Sequence, residues 1–290
     1  MVIHTIISTC TKKDFPVFCL TYEGVCRQFS FDKWYIIVPD RDEKLFARFR
    51  KANIFVVKES LILDFKPIKS KLAEKGNPRW QWYYQQLLKI YKSLDTDSKY
   101  VTIWDADTVP LLPIEFFDIN NSKVYHNLSE EFHYPYFIKI NSLLGIKERV
   151  APGSFITQYI TFRKEHLQNM VHHVESYTGK KFIDAVLDPI FDFDLYFSEY
   201  ETIGNYLHHF YPETYEYKII EWRRFLPKSF PVDLSYNLLL STSRGICYQA
   251  IESYDYIRQL SPLGKFLYRI RYISWVSKFI SRIIYYVRLK

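Results

Sequence analysis

Residues 100–111 read YVTIWDADTVPL, an apolar, β-rich run that ends in two carboxylates, Asp105 and Asp107. Tyr100, Val101, Ile103 and Trp104 predict a strand buried on both faces, as strands of parallel sheets are. In open α/β sheets, ligands gather beyond the carboxyl ends of the strands. Carboxylates one residue apart at such a point make a hard, all-oxygen site that suits Mg²⁺ or Mn²⁺ shared with a ligand's phosphates. The competing reading of the same letters is an acidic turn in which Pro110 merely ends the strand.

Working back from that stretch, residues 2–8, 34–38 and 54–57 are compact apolar runs that read as three earlier strands. Residues 42–51 (DEKLFARFRK) have helical spacing with an acidic start and a basic finish, which complements the helix dipole. Residues 78–94 predict a helix that opens with proline and carries Trp80, Tyr84, Leu87, Leu88 and Tyr91 at three-to-four spacing. Alternation of this kind predicts an α/β fold with a mostly parallel sheet flanked by helices. Beyond the acidic pair the expected elements are a strand over 156–162, a helix over 164–178, and a helix over 199–210 capped by Ser198. Residues 212–259 give no secure pattern.

Composition removes several classes of function. Apolar residues make up 48% of the chain, enough for a sizeable core, so disorder is not expected. Neither G-x-x-x-x-G-K-[ST] nor G-x-G-x-x-G occurs, which leaves phosphate binding to a metal or to side chains. Cys10, Cys19, Cys26 and Cys247 form no C-x-x-C pair and suggest neither zinc nor a disulfide framework. The opening MVIHTIISTCTKKD has no basic leader before its apolar stretch, so it reads as a strand and sets the expected location in the cytoplasm.

The net charge of +7 arises in the last thirty residues, where Lys265, Arg269, Arg271, Lys278, Arg282, Arg288 and Lys290 meet no acidic residue. On a helical projection Phe266, Ile270, Ile273, Val276, Ile280, Ile284 and Val287 share one side, with Arg271, Lys278 and Arg282 opposite. That is the make-up of an amphipathic helix lying in the plane of an anionic membrane, too interrupted by charge to span one. A nucleic-acid enzyme would spread positive charge over a groove in its body, so nucleic acid is not an expected partner.

In their order, these features resemble the nucleotide-sugar-dependent glycosyltransferases of the GT-A fold, over about residues 1–210. More narrowly, WYYQQLLK at 82–89 and SEYETIGNY at 198–206 are similar to a bacterial branch of glycosyltransferase-like proteins of unassigned activity. The resemblance implies a Rossmann-like, GT-A-like domain over 1–260, with a nucleotide-binding half (about 1–112) and an acceptor half (about 113–260). Residues 261–290 then form the membrane-surface extension.

It also implies roles. Asp107 would bind a divalent cation, Mn²⁺ or Mg²⁺, bridging the donor diphosphate, with Asp105 shared between metal and ribose. Thr9, Lys12, Asp40, Gln86 and Lys89 would contact the nucleotide of a nucleoside-diphosphate sugar. Glu199 is the first choice for the carboxylate that accepts the acceptor hydroxyl's proton, with Glu201 serving acceptor hydroxyls or local structure.

One of His126, His133, His208 and His209 is a candidate third metal ligand, and Asp192 and Asp194 are candidates for acceptor contacts. The expected reaction is sugar transfer, inverting slightly favoured, to a glycan or lipid-linked acceptor in bacterial surface polysaccharide synthesis at the inner face of the membrane. Two other readings stand beside it. One is a haloacid-dehalogenase-like phosphatase with Asp105 as nucleophile, the other a membrane-associated protein that binds glycan or nucleotide without catalysis.

Overall fold

The structure is a computed structural model, and it describes residues 4–189, 195–224 and 242–251. The projected helix over 261–290 and the pair Asp192 and Asp194 lie outside the described residues. The chain runs β1 (His4–Thr9), α1 (Phe15–Gln28), β2 (Lys33–Val38), α2 (Glu43–Phe46), β3 (Ile54–Lys58), α3 (Phe65–Glu74), α4 (Trp80–Leu94), β4 (Tyr100–Trp104) and β5 (Thr108–Pro110). It continues through β6 (Phe117–Asp118), β7 (Lys123–His126), α5 (Tyr134–Leu144), β8 (Tyr159–Arg163), α6 (Lys164–Thr178) and α7 (Phe182–Leu187). The last described elements are α8 (Glu199–Phe210), β9 (Tyr215–Tyr217), β10 (Trp222–Arg224) and β11 (Tyr248–Ala250). Contacts divide it into two units, the first comprising residues 1–11, 31–105 and 115–219, the second 12–30, 106–114 and 220–290.

The first unit has the α/β architecture expected from the alternating pattern. Its five-stranded sheet has the order β3-β2-β1-β4-β8, parallel throughout except for β8, which runs antiparallel to β4. Every residue of β4 is buried, as a strand covered on both faces requires. The order reverses between β1 and β4, because the chain winds outward from β1 through β2 to β3 and then returns to β1's other side. Such a switch point leaves a crevice at the strands' carboxyl ends. The β1/β4 register pairs His4 with Tyr100 and Ile7 with Ile103, and Thr9 ends β1 two residues further on.

The helix predicted for 42–51 is instead a single α-turn, α2, between 3₁₀ turns at Asp40–Asp42 and Ala47–Phe49. Phe46 and Phe49 are both buried. Their spacing of three matches the tighter 3₁₀ period better than a continuing α-helix. α3, α5 and the short α7 had no expectation behind them. α3 buries only Ile68 and Leu72 among many charges, and α5 sits in an aromatic stretch, entered through Pro135 and closed by Gly145 at φ +71°. Only a residue without a side chain adopts that φ freely.

The first unit also holds a small sheet of order β6-β7-β9. His126 at the end of β7 joins His208 of α8, with Nδ1 and Nε2 3.0 Å apart, while His126 Nε2 lies 2.6 Å from the Thr161 carbonyl. A carbonyl only accepts, so His126 carries its proton on Nε2, and His208 must donate to His126 Nδ1. Tyr215 stacks on His126 and Tyr217 on His208. In the second unit, β5, β11 and β10 form a sheet and α1 packs on β5 at Gly24, where a Cβ would stand 2.6 Å from the Pro110 carbonyl oxygen. Val17, Val109 and Ile251 form its small apolar cluster.

Burial pushes His126 down to about 4 against the opposing pull of the Thr161 carbonyl. Burial likewise takes His166 down to about 4 and His208, with further help from His126, to about 3. An unfolded chain takes up these protons near pH 6.5 and the folded chain does not, so stability is present above pH 6.5 and drains away as pH falls toward 4. The loss should be on the order of a few kcal/mol in total. Thermal melts at intervals from pH 7.5 to 4 should show this decline, with a shallower slope in His208→Gln; equal slopes in the two proteins would contradict it.

Candidate active site

Asp105 follows the last residue of β4, at the switch point of the first unit's sheet. Its amide donates to the Gln158 carbonyl at 2.9 Å, extending the β4/β8 ladder by one bond. Gln158 holds φ at +68°, a left-handed conformation uncommon for a residue with a side chain. Strained backbone of this kind persists where surrounding structure fixes it and clusters at functional sites.

Two turns along α4 from Trp82, Lys89 lies buried inside the unit. Its Nζ is 2.7 Å from Asp105 Oδ1 and 2.6 Å from Glu199 Oε1, and it stands 5.0 Å from the centre of the Tyr200 ring. One ammonium thus joins the end of the central strand to the first turn of α8. Burial alone would depress the Lys89 pKa, but the charges of Asp105 and Glu199 more than reverse this and hold it above its ordinary value. Burial pushes the Glu199 carboxyl up; Lys89 pulls it back and Asp105 pushes it up again. The two shifts have different first causes: burial raises the Glu199 carboxyl, while the neighbouring carboxylates hold Lys89 protonated against its own burial.

Glu199 is fixed from its backbone as well. α8 begins at Ser198, whose hydroxyl accepts from the Glu201 amide at 3.3 Å, the expected N-cap. The Glu199 amide, one of the helix's orphan donors, is taken at 2.8 Å by Gln86 Oε1 from α4, while Gln86 Nε2 donates to the Trp82 carbonyl. The helix N-terminus favours the ionised carboxylate at that position.

The sequence reading set Gln86 and Lys89 against a nucleotide. In the structure both are buried, and the Gln86 amide and the Lys89 ammonium are engaged by the protein's own groups. Gln86 thus meets Glu199, and Lys89 meets both Glu199 and Asp105. Glu201 is likewise drawn inward. Its carboxylate accepts from the Ser154 hydroxyl and, at 3.1 Å, from Asn205 Nδ2, and burial raises its pKa against those hydrogen bonds and the field of Arg149. Asn205 Oδ1 in turn accepts from the Val150 amide. Gly204 of the same stretch lies so close to Phe155 that a Cβ would stand 2.2 Å from the ring. In SEYETIGNY, therefore, Glu199 faces the triad, while Glu201, Gly204 and Asn205 fasten α8 to the loop before β8.

Thr9, half-buried, ends β1 beside the switch point. Asp40 is exposed beyond β2, and its carboxylate accepts from Ser60 Oγ at 2.6 Å, tying the turn after β3. Lys12 and Asp107 belong to the second unit: Lys12 is exposed ahead of α1, and Asp107 precedes β5, its carbonyl accepting from the Ile251 amide. Asp105 and Asp107 remain fixed two positions apart by the chain itself. Two carboxylates suit a Mg²⁺ or Mn²⁺ ion that draws its other ligands from water and phosphates. Among the described residues no group of three or more His, Cys, Asp and Glu is gathered to hold a metal. His126 has both ring nitrogens engaged, and exposed His133 meets the Leu195 carbonyl at 2.9 Å.

The bridging position of Lys89 had one trace in the sequence, its place three residues after Gln86 on the same helix face. The contact of Gln86 with Glu199 joins residues 113 apart and had none. Removing Lys89 takes its cation from the buried Glu199 carboxylate, and breaking a buried pair in this way typically costs about 3–5 kcal/mol. Urea unfolding of Lys89→Met should show a loss of about that size; a loss under about 1 kcal/mol, the range of an exposed pair, would contradict the bridge.

A family model for proteins of unknown function (DUF6492) matches residues 3–217. None of the curated proteins matches the chain. Among solved structures, the crystal structure of mouse xyloside xylosyltransferase 1 in its apo form is similar over 86% of this chain and 97% of that one. The identity is 8% and the TM-score 0.47, too loose a fit to bear on the fold or the reaction. With the family model covering most of its length, including β1, β4, α4 and the whole of α8, the chain belongs to DUF6492, a family of unknown function.

Proposed function

We propose that this chain is a glycosyltransferase that moves a sugar from a nucleoside-diphosphate donor to a glycan or lipid-linked acceptor. The observation that carries the reading is the buried link Asp105–Lys89–Glu199, which couples a carboxylate at the sheet's switch point to one at a helix N-terminus. Donor groups and a proton acceptor are the two things that sugar transfer by inversion needs side by side.

In this reading Glu199 accepts the proton of the acceptor hydroxyl as that oxygen attacks the anomeric carbon. Its raised proton affinity moves it toward the operating pH, where a general base works best. Lys89 is a positioning residue: it orients both carboxylates and limits the charge they bury. Asp105 and Asp107 keep the roles that the D-x-D spacing suggests, holding a divalent cation. When bound, that cation offsets the charge developing on the departing diphosphate. Thr9, at the end of β1, is the first unit's candidate for ribose or phosphate contact. A phosphatase of the haloacid-dehalogenase type is disfavoured, because its nucleophile follows the first strand and Asp105 follows the fourth.

Nucleoside diphosphates provide the test. One of UDP, GDP, CDP or dTDP should raise the melting temperature in the presence of Mn²⁺ and much less without it, since ligand binding to the native state adds stability. Asp107→Ala should abolish both that shift and turnover of the corresponding sugar donor. A protein insensitive to all four nucleotides with the metal would overturn the reading.

The basic amphipathic pattern over 261–290 supports action at the cytoplasmic face of an anionic membrane, on surface polysaccharide. The full chain should sediment with phosphatidylglycerol vesicles. Joint replacement of Arg271, Lys278 and Arg282 by Glu should release it, and undiminished sedimentation would count against this placement.

A further inference from the structure

Between α5 and β8 the chain carries Arg149, whose Nε and Nη2 atoms are both buried and, among the described residues, lack hydrogen-bond partners. These two nitrogens make up one edge of the guanidinium, the fork that matches both oxygens of a carboxylate or phosphate. Buried charged donors without an acceptor are expensive, and native structures seldom keep them without a use.

Two stacked aromatic rings lie beside the Arg149 head. Its guanidinium carbon is 5.8 Å from the centre of the Phe132 ring and 5.6 Å from that of Phe137, and the two rings stack at 5.2 Å. Cation–π contact steadies the head without satisfying an N–H along the edge. Glu201 is close enough to feel Arg149's field, but its carboxylate is held by Ser154 and Asn205, and it forms no ion pair with Arg149 among the described residues. Phe132 is 62% exposed and so is Tyr134. A ring that is mostly solvated loses little contact on swinging aside, so Phe132 is the wall able to admit a ligand. The two exposed rings offer apolar faces of the kind that the C–H face of a sugar covers.

The geometry points to a subsite for an oxyanion carried on a sugar ring, its oxygens gripped by the Arg149 fork and its ring laid against Phe132 or Tyr134. The subsite rests on the glycosyl-transfer reading only for being acceptor-side, which places an acidic or phosphorylated saccharide as acceptor; the anion itself is read from Arg149.

Calorimetric titration of the full chain, without metal or nucleotide, tests this separately from donor binding. Glucuronate, glucose 6-phosphate and glucose are the probes. At least one of the two anionic sugars should bind ten times or more tighter than glucose, and which one does so tells carboxylate from phosphate. Arg149→Gln should lose that preference, and Phe132→Ala should weaken binding of the preferred sugar. Arg149→Met removes the unpartnered charge, should match or exceed the wild-type melting temperature, and should also lose the preference, so that loss of fold is not mistaken for loss of the site. Equal affinity for all three sugars, or a preference that survives in Arg149→Met, would overturn the proposal even if nucleotide binding is found; a nucleotide failure with the sugar preference intact would overturn only the donor reading.

Discussion

A single buried ammonium organises the first unit. Lys89 lies on α4, which packs against β1, and its charge draws together the end of β4 and the start of α8. Burying a lysine is unfavourable, and so is burying Glu199. With both carboxylates within 2.7 Å of the Lys89 ammonium the charges compensate, and the Tyr200 ring closes another side of it. Compensation stops short of restoring Glu199 to its ordinary value, because its burial outweighs the pull of Lys89, and the excess is proton affinity. A purely structural ion pair needs no such excess. A site that must take up a proton, or a cation, has use for it.

Around this centre, helix α8 divides its labour along its length. Its first residue belongs to the charged triad and its first amide to Gln86. One turn later Glu201, Gly204 and Asn205 anchor it to residues 150–155 through a hydroxyl, a ring face and a backbone amide. The position of Glu199 therefore depends on packing a turn away, and the aromatic histidine cluster beyond it holds the far end of α8 to β7 and β9. Precision at one end of a helix is commonly secured in this way, by locking supports further along it.

Much of the fold was legible because its signals are periodic and local. β1 to β4 announce themselves as short apolar runs, α4 by three-to-four spacing, and α8 by the cap at Ser198, read from residue type alone. α3 was not legible, since two buried residues among many charges make too weak a stripe, and α5 was masked by aromatics that read equally as strand. Asp105 and Glu199 could be singled out as carboxylates at a strand end and a helix start. Their connection could not, because Lys89 and Gln86 look like any polar residues of an amphipathic helix until tertiary structure buries them. Arg149 carried no sequence signal at all; what distinguishes it is a buried edge with no acceptor among the described residues.

The central claim is that Lys89 and Glu199 are energetically one unit, and a double-mutant cycle on unfolding free energy addresses it without assuming any substrate. Neighbours that share a charge network couple by 0.5–3 kcal/mol, whereas independent sites add. The account predicts that Lys89→Met with Glu199→Gln is more stable than Lys89→Met alone, because removing the second charge relieves the exposed imbalance. Strict additivity, with the double variant less stable than either single one by the sum of their losses, would contradict it.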